Sequence, residues 1–222
     1  MNRPPDRSYA DFFARLVDDI RRRFEHHPGC HDWDHTRRVL HNARELAERE
    51  NADARISETG TVLHDVGRLQ ELQDEGATCH AQLGATLVED RIREAGVHDE
   101  AFIDAVRHCV ESHRFRRRGT PPPSTIEARV VFDADKLDSL GAVGIGRAFH
   151  FAGRVGARVH NSVDEALSAS SYSRNDTAYR EYLVKLHRLP DRMLTESGRA
   201  IALRRHRFMV LFFRQLNGEC PE

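Results

Sequence analysis

The sequence predicts an all-α fold, a single irregular bundle of about eight or nine helices. Three observations predict it. Apolar residues recur at three- and four-residue spacing along most of the chain, and strand-like alternation is almost absent. Glycine or proline closes most of the periodic stretches. With 222 residues the chain can bury a proper core, and it reads as one domain over 1–222 with a polar excursion around 153–175.

The elements follow in order. Phe12, Phe13, Leu16, Val17, Ile20 and Phe24 mark one amphipathic stripe, which His27-Pro28-Gly29 ends. A second helix runs from about Asp34 to Glu50, with Val39, Ala43, Leu46 and Ala47 inward; His35 shares that edge, four residues before Val39. The third covers roughly Ile56–Val66 and stops at Gly67. A fourth spans about Cys79–Ala95, closed by Gly96. The fifth runs from Asp99 towards Arg116 and aligns Phe102, Val106, Cys109 and His113, leaving His108 off that line and exposed. Three prolines make Gly119–Ser124 a loop. Helices then cover Ile126–Leu140 and Ala142–Phe151. Residues 153–175 are polar and Ser-rich, so weak structure is expected there. A helix follows over Asp176–Leu189. Thr195 opens the last one, with Ile201, Phe208, Met209, Leu211, Phe212 and Leu216 as its buried face.

Composition excludes several classes of function. The 34 basic and 35 acidic side chains leave a net charge of −1, so duplex nucleic acid has no electrostatic footprint to bind. The basic run Arg114–Arg118 reads as a solvated stretch. No apolar stretch is long enough for a membrane span, and the polar N-terminus lacks a signal-peptide core, so a cytoplasmic location is expected. Cys30, Cys79, Cys109 and Cys220 are far apart with no Cys-x-x-Cys, against a disulfide framework or zinc finger; Cys109 reads as a small core residue. Fourteen histidines point instead towards metal or phosphate chemistry.

Two His-Asp signals and one distant Asp focus that chemistry. They are His31-Asp32-Trp33-Asp34-His35, then His64-Asp65, then Asp133-Ala134-Asp135-Lys136-Leu137-Asp138. His35, His64, Asp65 and Asp135 each border an apolar stripe, and together they offer two imidazoles and two carboxylates to one divalent ion. His31, Asp32 and Asp34 read as helix-entrance or supporting groups. Gly141, Gly144 and Gly146 form a small-residue stripe suited to close helix packing, because the Lys-Ser/Thr ending of a phosphate loop is missing.

At these residues the chain resembles the HD-domain metal-dependent phosphohydrolase superfamily. The His31–His35 segment with Arg38-Val39, the Asp133–Asp138 segment, and Gly141–Phe149 after it are similar to a bacterial subgroup that includes nucleoside triphosphate pyrophosphohydrolases. So are Lys185-Leu186, Met193-Leu194-Thr195 and Arg207-Phe208-Met209. The resemblance implies the HD-domain fold, one divalent metal (Mn, Co, Ni, Mg or Fe) on His35, His64, Asp65 and Asp135, and a metal-activated water. It implies a small phosphorylated metabolite, a nucleotide, as substrate. Asp65, Arg68 and Lys136 are its candidate catalytic residues. His80, His113, Lys136 and Asp138 are candidate substrate contacts, with His80 and His113 also where some members hold a second metal. Some members carry an acid three or four residues after the doublet; this chain has Arg68 and Leu69, which suits phosphate neutralisation instead. A nucleoside 5′-monophosphatase, a di-iron oxygenase and a silent nucleotide sensor stay open as alternatives. A homodimer is the base-rate assembly.

Overall fold

The computed structural model describes residues 7–24, 31–74, 76–114, 119 and 121–220. Among them the secondary structure is all helical: α1 (Arg7–Phe24), α2 (Trp33–Glu50), α3 (Ala54–Leu63), α4 (Arg68–Gln73), α5 (His80–Glu94), α6 (Glu100–Ser112), α7 (Ile126–Leu137), α8 (Gly141–Arg154), α9 (Val163–Ser168), α10 (Ala178–Val184) and α11 (Glu196–Glu219), with a 3-10 segment over Leu186–Arg192. The all-α expectation holds. The expected terminator His27-Pro28-Gly29, Cys30 and Arg116–Arg118 lie outside the described residues. None of the described helices is long and apolar enough to cross a membrane.

The chain divides into two compact units, 1–135 and 136–222, with the boundary inside α7 directly after Asp135. In the first unit, Phe12, Leu16, Ile20 and Phe24 of α1 meet Val62 and Leu63 of α3, Val88 and Ile92 of α5, and Ile103, Val106 and Val110 of α6. These are the apolar stripes at helical spacing, so hydrophobic burial sets which face of each helix turns inward. Cys109 is fully buried beside Ala128 and Val131, and burial pushes its thiol pKa well above the ordinary range. Side-chain caps fix the starts of the helices that matter most. The Asp32 carboxylate accepts the His35 N–H at 2.9 Å, opening α2. Asp53 accepts from Arg55 and Ile56 to open α3, and Asp99 from Phe102 to open α6.

In the second unit Ile145, Ala148 and Ala152 of α8, Tyr179 of α10, and Ile201, Ala202, Met209 and Phe213 of α11 are buried. The Tyr182 and Phe213 rings stack with centroids 4.5 Å apart. Thr195 caps α11 as expected, accepting from the Gly198 N–H at 3.0 Å.

Six local expectations are corrected. The fifth predicted helix ends at Ser112, not Arg116, because His113 takes the C-cap position. The helix from Ile126 ends at Leu137, where Arg205 donates to the Leu137 carbonyl at 2.7 Å. Residues 153–175 contain α9, which a capping box between Ser162 and Glu165 nucleates; Asn161 beside it is buried and receives the Thr177 hydroxyl at 2.7 Å. The stretch 176–189 breaks near Lys185 into α10 and the 3-10 segment. On α11, Phe208 and Leu211 are exposed, because the buried line runs through Ile201, Ala202, Met209 and Phe213 instead. The short helix α4 went unpredicted. His108 is half-buried, receiving hydrogen bonds from the Ser124 amide and hydroxyl that tie down the end of the proline loop.

Candidate metal centre

The His64-Asp65 doublet does not lie on a helix. α3 ends at Leu63, and the backbone turns through 64–67, with Val66 N bonded to Leu63 O at 3.1 Å and Arg68 N to Asp65 O at 2.8 Å. Side chains of successive residues do not face each other along a regular helix. The turn removes that obstacle, and His64 Nε2 comes within 3.6 Å of Asp65 Oδ2. Gly67 makes the turn fit: a Cβ there would lie 2.5 Å from the His80 carbonyl oxygen.

Three further elements converge on the doublet. α2 brings His35, whose Nε2 lies 3.3 Å from His64 Nε2 and 3.8 Å from Asp65 Oδ2. α7 brings Asp135, whose Oδ1 lies 3.5 Å from His35 Nε2. The buried Asn42 amide donates to the Ala134 carbonyl at 3.1 Å and pins α7 to α2 one residue before Asp135. His31, just ahead of α2, places its Nδ1 2.8 Å from Asp65 Oδ2. Two groups of donor atoms close enough to share an ion result, His35 with His64 and Asp135, and His31 with His35 and Asp65.

A third group lies on the other side of Asp65. His80, the first residue of α5, and His113, the C-cap of α6, bring their Nε2 atoms to 3.1 Å from each other. They stand 3.5 and 3.8 Å from Asp65 Oδ1. Asp65 therefore faces one imidazole set with each oxygen. Its side chain is 1% exposed. Burial opposes its ionisation, but Arg68, His64 and His31 outweigh this and hold its carboxyl well below the usual carboxylate range.

The chemistry of these donors fits a cation. His64 Nδ1 bonds the Thr61 carbonyl at 2.6 Å, and His113 Nδ1 bonds the Val110 carbonyl at 2.6 Å. A carbonyl only accepts, so both rings donate from Nδ1 and turn Nε2 towards Asp65. His80 Nδ1 is held the same way by Glu71 Oε2 at 2.7 Å. Imidazole nitrogens and carboxylate oxygens thus crowd together in a buried site, a donor set suited to a divalent ion.

Basic groups flank the third group. Arg68 donates to Asp65 Oδ1 from Nε at 3.2 Å and Nη2 at 3.1 Å, and to Glu71 from Nη1. Arg114 donates to Glu71 Oε1 at 2.6 Å and approaches Cys79 Sγ at 3.2 Å. Arg114 was expected in a solvated run, yet its side chain is only 14% exposed because it folds back onto Glu71. In the sequence Glu71 is only a nearby acid whose position carries no particular signal; its spacing of three from Arg68 on α4 brings it to the site. Burial alone would raise the Glu71 pKa, but His80, Arg114 and Arg68 lower it. Burial depresses His80 despite Glu71. Lys136, the residue after Asp135 on α7, is buried, and Asp138 is buried with Oδ2 2.8 Å from Arg147 Nη1; both belong to the second unit.

Comparison with known proteins gives this architecture a family. Residues 32–140 match the HD domain. That span holds both oxygens of the doublet and every ligand candidate except His31. The chain belongs to the HD-domain superfamily. YpgQ of Bacillus subtilis (strain 168) is 38% identical over 193 residues, 86% of this chain and 85% of YpgQ. A crystal structure of YpgQ in complex with ADP superposes with a TM-score of 0.70, covering 95% of this chain and 97% of that one at 32% identity. An HD-superfamily hydrolase from Bacillus thuringiensis gives a TM-score of 0.72 at 28% identity, covering 95% and 97%. The symmetrical bis(5′-nucleosyl)-tetraphosphatase of Bacillus subtilis (strain 168) is 30% identical over 125 residues, 49% of this chain and 61% of that protein. As an HD-superfamily hydrolase, this HD-domain chain falls in the metal-dependent phosphohydrolase class.

Proposed function

We propose that the chain is a nucleoside triphosphate pyrophosphohydrolase, cleaving the α–β anhydride to release pyrophosphate and a nucleoside monophosphate. The observation that carries a nucleotide substrate is YpgQ, similar over nearly its whole length and crystallised with ADP. In this reading His35, His64, Asp65 and Asp135 hold one divalent ion. When bound, such an ion polarises phosphate oxygens and lowers the pKa of water enough to make a nucleophile near neutral pH.

The chain's own groups do the rest. Asp65 Oδ2, near the His31, His35 and His64 rings, accepts a hydrogen bond from water and orients it. Arg68 neutralises phosphate charge, a bidentate guanidinium–phosphate pair being stronger and more directional than a lysine contact. Lys136 adds a second positive charge next to Asp135 in sequence, and Asp138 fixes Arg147. His80 and His113 turn their Nε2 atoms towards Asp65 Oδ1, so we assign them to a second cation rather than to phosphate.

The deciding experiment supplies Mn²⁺ with a panel of nucleoside mono-, di- and triphosphates and scores pyrophosphate and orthophosphate separately. Pyrophosphate from triphosphates is the expected result. Orthophosphate from monophosphates alone would replace this reading with a 5′-monophosphatase. Similarity to the tetraphosphatase supports a second reading, a dinucleoside tetraphosphate, which belongs in the same panel. His64→Ala and Asp65→Ala should each lose tight Mn²⁺ binding and turnover together. Turnover retained in either variant would sink the ligand assignment.

A further inference from the structure

Asp65 Oδ1 is claimed by two kinds of partner. It faces His80 Nε2 at 3.5 Å and His113 Nε2 at 3.8 Å. On that same oxygen Arg68 donates twice, at 3.1 and 3.2 Å. A guanidinium is therefore parked on the atom that the Asp65–His80–His113 group must offer to a cation. Two positive charges sharing one carboxylate oxygen repel, and burial strengthens the repulsion.

We propose that Arg68 is a substrate-released lock on the second cation position. In the resting enzyme its charge keeps the Asp65–His80–His113 group from loading. A bound polyphosphate draws the guanidinium off Asp65 and opens that group to an ion. The inference rests on the reading that His35, His64, Asp65 and Asp135 hold the first ion.

The surroundings allow this movement. Arg68 keeps 17% side-chain exposure, against 1% for Asp65, so the guanidinium is the partner with room to leave. Glu71, its other anchor, stays paired when Arg68 departs, through His80 at 2.7 Å and Arg114 at 2.6 Å. No buried carboxylate is then orphaned, because the arriving ion replaces Arg68 at Asp65 Oδ1. The Nε2 atoms of His80 and His113, 3.1 Å apart, lie close enough together with Asp65 to share that ion. Phosphate offers the guanidinium a bidentate acceptor in exchange.

Equilibrium dialysis against Mn²⁺, with metal analysis and Mn²⁺ electron paramagnetic resonance, tests this without relying on turnover. The wild-type chain should bind one tight ion, and Arg68→Met a second, at least tenfold more tightly than wild type does. Arg68→Lys, which keeps the charge, should stay at one, and Arg68→Met/His113→Ala should return to one. Spin coupling should appear only in the two-ion form. With an α,β-imido nucleoside triphosphate, wild type should hold one ion more than His80→Ala, which subtracts any ion carried by the phosphates. Far-UV circular dichroism confirms folding, and Arg68→Gln replaces the Met variant if that one unfolds. A single ion in folded Arg68→Met or Arg68→Gln overturns the lock. So do two tight ions in wild type without nucleotide, although the first-ion reading then survives. No tight ion in wild type defeats that reading itself.

Discussion

Three of the imidazoles around Asp65 are aimed by what their other nitrogen bonds. His64 and His113 use carbonyls three residues back, in the last turn of the helix that each one ends. His80 has no such carbonyl, being the first residue of α5, and uses Glu71 instead. That substitution makes the ring's orientation depend on a charge and hence on pH. Glu71's pKa is depressed below its ordinary 4.5 in the folded chain. A depressed carboxyl contributes stability at pH above the ordinary value and loses it as pH falls through the folded value. The gap in urea midpoint between wild type and Glu71→Gln should therefore be widest at neutral pH and shrink steadily below about pH 4.5. A gap that stays constant down to pH 3 would contradict the pairing.

At the scale of elements, the site depends on where helices stop as much as on where they run. α3 ends one residue before His64, and α4 starts directly after Gly67, with α5 packed across the turn. Gly67→Ala forces a methyl into the His80 carbonyl and should cost about 1–3 kcal/mol, the range for overpacked sites, measured by urea unfolding. It should weaken metal binding as well, since His80 and the doublet must both shift. α11 gives the opposite lesson. Phe208 is 48% exposed and Leu211 64%, while Phe213 is 2% exposed. Substituting Ser at 208 or 211 should change stability by roughly 0.5 kcal/mol or less, whereas Phe213→Ala should cost about 3–5 kcal/mol. Comparable losses at all three positions would mean that the outer face of α11 is covered.

On the scale of the whole molecule, every ligand candidate lies in the unit that ends at Asp135. Metal binding should thus stabilise that unit directly, by about 2.7 kcal/mol when the free ion is a hundredfold above its dissociation constant. Trp33 reports on it. It is the single tryptophan of the chain, it sits at the first position of α2, and it packs on the first unit's core. The thermal midpoint followed by tryptophan fluorescence should rise with Mn²⁺ in a concentration-dependent way and fall on chelation. His64→Ala should remove the response. A midpoint indifferent to Mn²⁺ in the wild type would count against a resident ion.

Amphipathic periodicity by itself determined the helical class, because a buried stripe at 3.6-residue spacing is a local record of which face meets the core. It also marked His35, His64, Asp65 and Asp135 as candidates for a metal centre, since ionisable residues beside apolar stripes need a shared partner to be buried. What it could not determine was the division of labour around Asp65. That Oδ2 faces one imidazole set and Oδ1 another follows from a turn at 64–67 that no stripe encodes. The roles of Glu71 and Arg114 come from contacts 9 and 43 residues apart in sequence, set only when α4, α5 and the end of α6 meet. The exposure of Phe208 and Leu211 was decided likewise, because a long helix with apolar residues on several sides buries only the side its neighbours reach. Arg68 shows both levels at once. Its presence three residues after the doublet is plain in the sequence, but its place on Asp65 Oδ1 is a property of the fold.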